Sequence, residues 1–455
     1  MKNTAVSSEK PNILINRNYA LLWSSNLISV AGDYLFDTTL VLWIATRLAH
    51  GQSWAPLAIS GVLLAAVLPT FLVGPFAGVF VDRWDKRQTM LRMNALRAIF
   101  IALLLPLTGL VSLPFLHEGQ LSAVWELGIL YLLVFLSNIC AQFFNPSVFA
   151  LTGDVVDEPY RARATGLTQV TGSLAILIGP PLATLLFFTV GVQLAILFNA
   201  LSFAASLFLT LAVQAPPAAH SVAEGEQGHY WRELGEGLRF SFQNHVIVTL
   251  LIAGFLVIFC ESILNTLGIF FVQQNLHTQL NLYGFLATAM GAGLTIGALL
   301  GAVFAQRLGV ARVLGFGLLA DGLLVVIYAR LDNFAAALCV QFIMGLLVAG
   351  VNVAIGPLMF HIIPKELLGR VLALANPLFS IASILSIGGA GYLDSTVLRD
   401  FHTSLLGLSF GPLDTIFLGA GLIATLGGLY AVVNLRGIKL NMTEVQAEEV
   451  QEQVS

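Results

Sequence analysis

Asp82-Arg83-Trp84-Asp85-Lys86-Arg87-Gln88-Thr89-Met90-Leu91-Arg92 is the stretch whose reading decides the fold. It carries six charges in a chain of 455 residues of which only 10% are charged. Apolar segments of about twenty residues flank it, long enough to cross a bilayer at about 1.5 Å per helical residue. A short basic connection between two such segments orients both, because Lys and Arg are retained on the cytoplasmic side. Hydrophobic residues make up 57% of the chain. An average soluble domain is about 45–50% apolar and about 25% charged. The composition therefore excludes a soluble domain and predicts an all-α membrane protein, since only helices satisfy their own backbone groups within a single span.

The same alternation gives twelve spans, near 19–46, 55–81, 90–112, 124–150, 164–188, 191–213, 246–272, 284–305, 312–331, 334–361, 371–393 and 413–436. The expected organisation is a cytoplasmic segment 1–18, a six-helix bundle 19–213, a cytoplasmic linker 214–245, a second six-helix bundle 246–436 and an acidic tail 437–455. Within the linker, residues 231–242 read as an amphipathic helix lying on the membrane surface. The first seventeen residues are polar, so no cleavable signal peptide is expected. With the N-terminus inside, seventeen of the 21 Lys and Arg fall on the cytoplasmic side. Arg47, Arg330 and Arg399 fall outside, and Arg97 lies within the third span. A bias this lopsided over short loops predicts a plasma-membrane protein with both termini cytoplasmic.

Cys140, Cys260 and Cys339 sit in apolar runs without paired spacing and read as small buried hydrophobes. No Gly-x-x-x-x-Gly-Lys-Ser/Thr occurs, which excludes ATP hydrolysis by that route. No His/Cys cluster points to a metal, and no cofactor is expected. The two halves resemble each other. Asn145, Val155-Val156, Arg163 and Leu167 recur 207 residues later as Asn352, Ile362-Ile363, Arg370 and Leu374, at the same place in each six-span half. Such a repeat is the architecture of two bundles rocking about a central site.

The sequence around the opening loop resembles the major facilitator superfamily signature Gly-x-x-x-Asp-Arg-x-Gly-Arg/Lys-Arg/Lys. Gly78, Asp82, Arg83, Lys86 and Arg87 match it, and Asp85 stands where the second glycine is usual. Within that superfamily the chain is similar to the macrolide-efflux and siderophore-export branch. The stretches that carry this are Arg17-Asn18-Tyr19 … Gly32-Asp33, Phe144-Asn145-Pro146 … Gly166-Leu167, and Trp231-Arg232-Glu233-Leu234-Gly235. The resemblance implies twelve helices in two pseudo-symmetric bundles, with no enzymatic activity. It also implies that Asp82 latches the cytoplasmic gate when that side is closed. As a bare sequence feature, the loop serves equally as a topogenic positive-inside connection. Gly179-Pro180-Pro181 resembles the Gly-Pro antiporter signature and is expected to break the helical ladder of the fifth span.

The chemistry is expected in ionisable residues within spans, each costing about 2.5–3.5 kcal/mol at mid-bilayer on insertion scales. Asp33 and Asp37, four apart in the first span, share one helix face. Glu261 lies at a similar depth in the seventh. The resemblance places these two helices on the central cavity, where carboxylates suit reversible proton uptake. The alternative is that they pair with polar neighbours or face a hydrated vestibule. Arg97 and Asp321 occupy matched positions in the third and ninth spans, where a structural role is expected. Tyr34, Phe36, Trp43, Phe259 and Phe271 are read as an apolar cavity lining, with no basic residue at mid-depth in the first, fourth, seventh or tenth span. The expected function is proton-coupled efflux of lipophilic or cationic small molecules by alternating access. The expected partners are a small-molecule substrate, protons and the lipid bilayer, with no nucleic acid, and the chain is read as a monomer. An importer or uncoupled facilitator of the same fold, or a non-transporting membrane interaction or sensor protein, remain the competing readings.

Overall fold

A computed structural model describes residues 14–110, 122–214, 238–405 and 408–436. Among the described residues, twelve helices are long and apolar enough to cross a membrane. The first half comprises α1 (Arg17–Trp43), α2 (Ala55–Leu72), α3 (Gly74–Arg83), α4 (Lys86–Ala102), α5 (Ala123–Val155), α6 (Arg161–Val190) and α7 (Val192–Ala212). The second comprises α8 (His245–Gln274), α9 (Tyr283–Leu308), α10 (Val310–Tyr328), α11 (Phe334–Ile362), α12 (Lys365–Tyr392) and α13 (Pro412–Asn434). A two-stranded antiparallel hairpin, β1 (Thr403–Leu405) and β2 (Leu408–Phe410), sits between α12 and α13. Residues 238–243 are helical. The rest of the expected amphipathic helix, the N-terminal segment before residue 14 and the tail from 437 lie outside the described residues.

Local sequence explains the starts and breaks. Asn16 caps α1 by accepting from the Tyr19 amide at 2.8 Å, and Asn333 caps α11 through the Ala336 amide at 3.2 Å. The second span, expected as one run over 55–81, is divided at Val73 into α2 and α3. Pro75 lacks an N–H to continue the ladder of α2 but is tolerated in the first turn of a new helix. The break expected at Gly179-Pro180-Pro181 is not found: α6 runs unbroken from Arg161 to Val190. Two missing N–H groups leave enough flanking bonds to carry the helix, and the Thr184 hydroxyl donates to the Pro180 carbonyl at 2.9 Å.

Connections alternate between two ends of the bundle. One end collects the loop around Asp85, the α5–α6 turn and the α9–α10 turn, and is called the basic end here. The largest hydrophobic cluster lies towards the opposite end and belongs to both halves at once. It joins Leu40, Ile59, Leu130 and Phe203 to Leu267, Phe271, Val325 and Phe417. At the basic end the clusters divide by half. Leu22, Met90, Phe144 and Leu151 form one, and Val246, Val310, Leu314 and Leu358 form another. The two bundles therefore share a core at one end and part at the other.

The shared end is sealed by close helix crossings. Gly391, at the end of α12, lies against Ser60 of α2, and the Leu57 amide donates to Ser395 Oγ at 3.1 Å. Gly284 of α9 lies against the Pro180 carbonyl of α6, and Gly291 lies against Leu177. Glycine permits these contacts because a Cβ at Gly391 or Gly284 would collide with the facing helix, and one at Gly291 would press tightly on Leu177.

Candidate functional site

In the first half, α1, α4 and α7 pack together around a polar interior. Ser25 of α1 hydrogen-bonds the hydroxyls of Ser206 at 2.7 Å and Thr210 at 2.9 Å on α7. Asn94 of α4 donates to Ser206 Oγ at 2.8 Å. Gly32 brings α1 against the side chains of Asn199 and Ser202, which occupy the space a Cβ would need. One turn further along α4, Arg97 is 4% exposed, and its Nη2 meets Asp33 Oδ1 at 2.6 Å. Its Nη1 donates to Ser29 Oγ at 3.3 Å, and its Cζ lies 4.0 Å from the centre of the Phe203 ring. A guanidinium so enclosed is held by a carboxylate, a hydroxyl and an aromatic face together. Asp37, one turn beyond Asp33, is exposed. It accepts no hydrogen bond and makes no ion pair among the described residues.

The second half repeats the geometry with different chemistry. Helices α8, α10 and α13 stand where α1, α4 and α7 stand. Glu261 falls 228 residues after Asp33 and Asn265 falls 228 after Asp37; Glu261 is half-buried and Asn265 is exposed. Asp321 of α10 takes the place of Arg97 and is 2% exposed. Oε1 of Glu261 and Oδ1 of Asp321 are buried without a hydrogen-bond partner among the described residues. The acid of the seventh span thus has an acid, and not a cation, as its neighbour across the helices.

The loop quoted first is built for stability at its joints. Asp85 caps α4 by accepting from the Gln88 amide at 2.7 Å, so the residue standing at the usual glycine position starts the next helix. Lys86 meets Asp154 of α5 at 2.7 Å. Arg87 donates to the carbonyls of Thr210 at 3.3 Å and Leu211 at 2.5 Å, at the end of α7 where the helix dipole favours a cation. Gly78 has open space where a Cβ would stand, and Arg83 is exposed. The side chain of Asp82 lies outside the described residues. Trp84 stacks on Phe143 with centroids 5.7 Å apart, and Phe80 packs beside both at 5.5 and 6.4 Å.

Gly179, Pro180 and Pro181 lie on the seal and outside the carboxylate clusters, with Gly179 against Tyr34 of α1. Among the described residues, no group of three or more His, Cys, Asp or Glu side chains is placed to hold a metal ion. Of the five aromatics read as cavity lining, Phe36, Trp43 and Phe271 are buried in the shared core, because the bundles close on them at that end. Tyr34 and Phe259 are half-buried.

Twelve spans in two halves with matched intramembrane charges call for comparison with known transporters. The sequence matches the family model described as Major Facilitator Superfamily over residues 22–386, and again over 250–439. The chain belongs to the major facilitator superfamily. It is 22% identical over 456 residues to the uncharacterized MFS-type transporter YkuC of Bacillus subtilis, covering 96% of this chain and 97% of that one. It is 23% identical over 372 residues to macrolide efflux protein A of Streptococcus pyogenes, covering 79% and 85%. The crystal structure of a D-xylose-proton symporter shares the fold with a TM-score of 0.67 at 15% identity, covering 93% of this chain and 99% of that one. This superfamily member is a multi-pass membrane transporter and not an enzyme. Reading the sequence missed the Glu261–Asp321 neighbourhood. The signal that could have suggested it is the pair of offsets, 228 from Asp33 to Glu261 and 224 from Arg97 to Asp321, which puts the two acids where an acid and an arginine stand in the first half.

Proposed function

We propose that this transporter exports lipophilic or cationic small molecules in exchange for protons, by alternating access, with both termini in the cytoplasm. The Lys and Arg distribution supports the orientation, since the basic end is then cytoplasmic. In that frame the shared core and glycine crossings close the outward side, and the bundles part toward the cytoplasm. The loop of Gly78, Asp82, Arg83, Lys86 and Arg87 then lies where the cytoplasmic side closes, as a gate whose Asp82 latch forms in the opposite state.

The observation that carries the reading is Asp37. An exposed carboxylate within a span, without a cation among the described residues, is tolerated where water or a cationic guest reaches it. Beside it the nearest basic group, Arg97, is already engaged by Asp33. The site therefore offers negative charge and apolar surface, which suits a lipophilic cation and repels a polyanion. The similarity to macrolide efflux protein A supports outward transport. For a neutral guest exchanged for one proton the membrane potential supplies about 2.3 kcal/mol per 100 mV, whereas one-for-one exchange of a monovalent cation is electroneutral and draws on the pH gradient.

Everted vesicles acidified inside provide the test, with tetraphenylphosphonium as the probe. Its addition should release protons from the lumen, and Asp37→Asn should remove that signal while the protein stays inserted. Transport of a phosphorylated metabolite with no effect of any lipophilic cation, or export indifferent to the pH gradient, would overturn the reading.

A further inference from the structure

Asp321 is placed where solvent does not reach. Gly322, its neighbour on α10, lies against the backbone of Ala424 and Thr425 of α13. Gly428 of α13 lies against Leu319 of α10, and Gly421 lies against Val326. A Cβ at any of these glycines would meet backbone, so the two helices touch directly on either side of Asp321. From α8 comes Glu261, and Gly427 of α13 packs against Leu256 of that helix. Glu261 and Asp321 stand on packed helices at the places that Asp33 and Arg97 hold in the first bundle, where the two side chains meet at 2.6 Å. Neither meets a Lys, Arg or His at ion-pair distance among the described residues, and each has a buried oxygen without a donor.

Among the described residues the surroundings hold no other charge to balance them. On α8 the nearest titratable group is Cys260, and α9 and α10 contribute Tyr283 and Tyr328. Helix α13 carries none between Asp414 and Tyr430, α12 none between Arg370 and Tyr392, α11 only Cys339 and His361, and α2 none. Arg330 and Asp414, toward the sealed end, pair with each other at 3.4 Å. Across the molecule, Arg97 is engaged by Asp33, and Asp37 stays with the first bundle. Enclosure penalises an isolated charge by several kcal/mol, so Asp321, 2% exposed and with the half-buried Glu261 as its neighbour, does not stay ionised without a cation.

We infer that Glu261 and Asp321 form one proton-binding site inside the second bundle, and that this site carries the proton driving export. The coupling clause rests on the exchange reading above; the binding clause does not. Glu261 is the port, because it is half-buried and Asn265, one turn along the same face, is exposed. Asp321 is the inner acceptor. The step is a bare proton transfer: an O–H bond forms on a carboxylate oxygen, hydronium in the cavity reverts to water, and no other bond changes.

Infrared difference spectroscopy on the purified full-length transporter in lipid nanodiscs, with H/D exchange, reads protonated carboxyl groups without requiring transport. The expected result is a carboxylic-acid band that disappears as pH rises, stays when choline chloride is replaced by sodium chloride, and is lost in both Glu261→Gln and Asp321→Asn. In vesicles, the same variants should lose pH-driven export to background yet retain counterflow of tetraphenylphosphonium. Because Asp321 is tightly enclosed, the half-buried Glu261 provides the variant least exposed to folding failure. A band unchanged in both variants overturns the proposal. So does a band displaced by sodium, which would make the pair a metal-cation site. If both variants lose the band but keep pH-driven export, the coupling role is overturned. If wild-type vesicles show no pH-driven export while the band still titrates, the exchange reading has failed, and with it the coupling clause.

Discussion

The α1–α4–α7 cluster of the first bundle and the α8–α10–α13 cluster of the second occupy equivalent places and solve opposite problems. In the first, a buried guanidinium is neutralised by Asp33 and supported by Ser29 and Phe203, with serine, threonine and asparagine bonds completing the interior. In the second, the arginine position holds an acid, the hydrogen-bonded lattice gives way to glycine contacts, and two carboxyl oxygens have no donor among the described residues. Pseudo-symmetry of backbone thus does not carry over to symmetry of charge. A closed ion pair holds helices together, whereas an uncompensated acid pair is free to bind something that comes and goes.

If the first cluster is the structural one, Arg97→Met should show the largest loss of stability. Removing one partner of a buried pair costs about 3–5 kcal/mol. The lower end is expected here, since the Asp33 side chain is 35% exposed and water can screen what remains. Thermal unfolding in detergent reports this, and the double variant with Asp33→Leu should recover part of the loss. Equal stability of Arg97→Met and wild type would erase the contrast between the halves.

Gly322→Ala should come next. Its new methyl group meets the α13 backbone, and overpacking of this kind costs roughly 1–3 kcal/mol. Gly78→Ala, with open space around it, is the control and should be neutral or stabilising by up to about 1 kcal/mol through helix propensity. Asp321→Asn sharpens the comparison in the other direction. An asparagine replaces a neutral carboxyl group nearly atom for atom, so the melting temperature should hold while pH-driven export is lost. The smallest effect belongs to Lys86→Ala, whose ion pair with Asp154 is 30% and 40% exposed. Such exposed pairs contribute about 0.2–1 kcal/mol, and added salt should reduce even that.

Much of the architecture was legible because the bilayer imposes it. The spans, the repeat and the matched depths of Asp33 with Glu261 and Arg97 with Asp321 follow from apolar length and from charges that interrupt it. What periodicity cannot give is rotation about each helix axis relative to its neighbours. Reading depth alone pairs the acids of the first and seventh spans across the cavity. The structure instead pairs Asp33 with Arg97 on α4 of its own bundle, and puts Asp321 of α10 at the equivalent place beside the helix of Glu261. The division at Val73 and the continuity of α6 through two prolines turn on local backbone detail. Proline is read too readily as a break when flanking hydrogen bonds suffice. Asp85 shows the same limit, since its departure from the family glycine becomes intelligible only once its carboxylate is seen capping α4.

The glycine crossings between α2 and α12 and between α6 and α9 have a consequence for how the bundles separate. Surfaces that meet through Gly391, Gly284 and Gly291 present no long side chains to interlock and no charges to tear apart. They behave as a dry bearing: one helix can roll on the other with little friction. What resists the motion is chiefly the wetting of apolar surface as the contact opens. Salt should therefore hardly alter the rate of rolling at this seal. Bulk added to a crossing should jam it, as grit does.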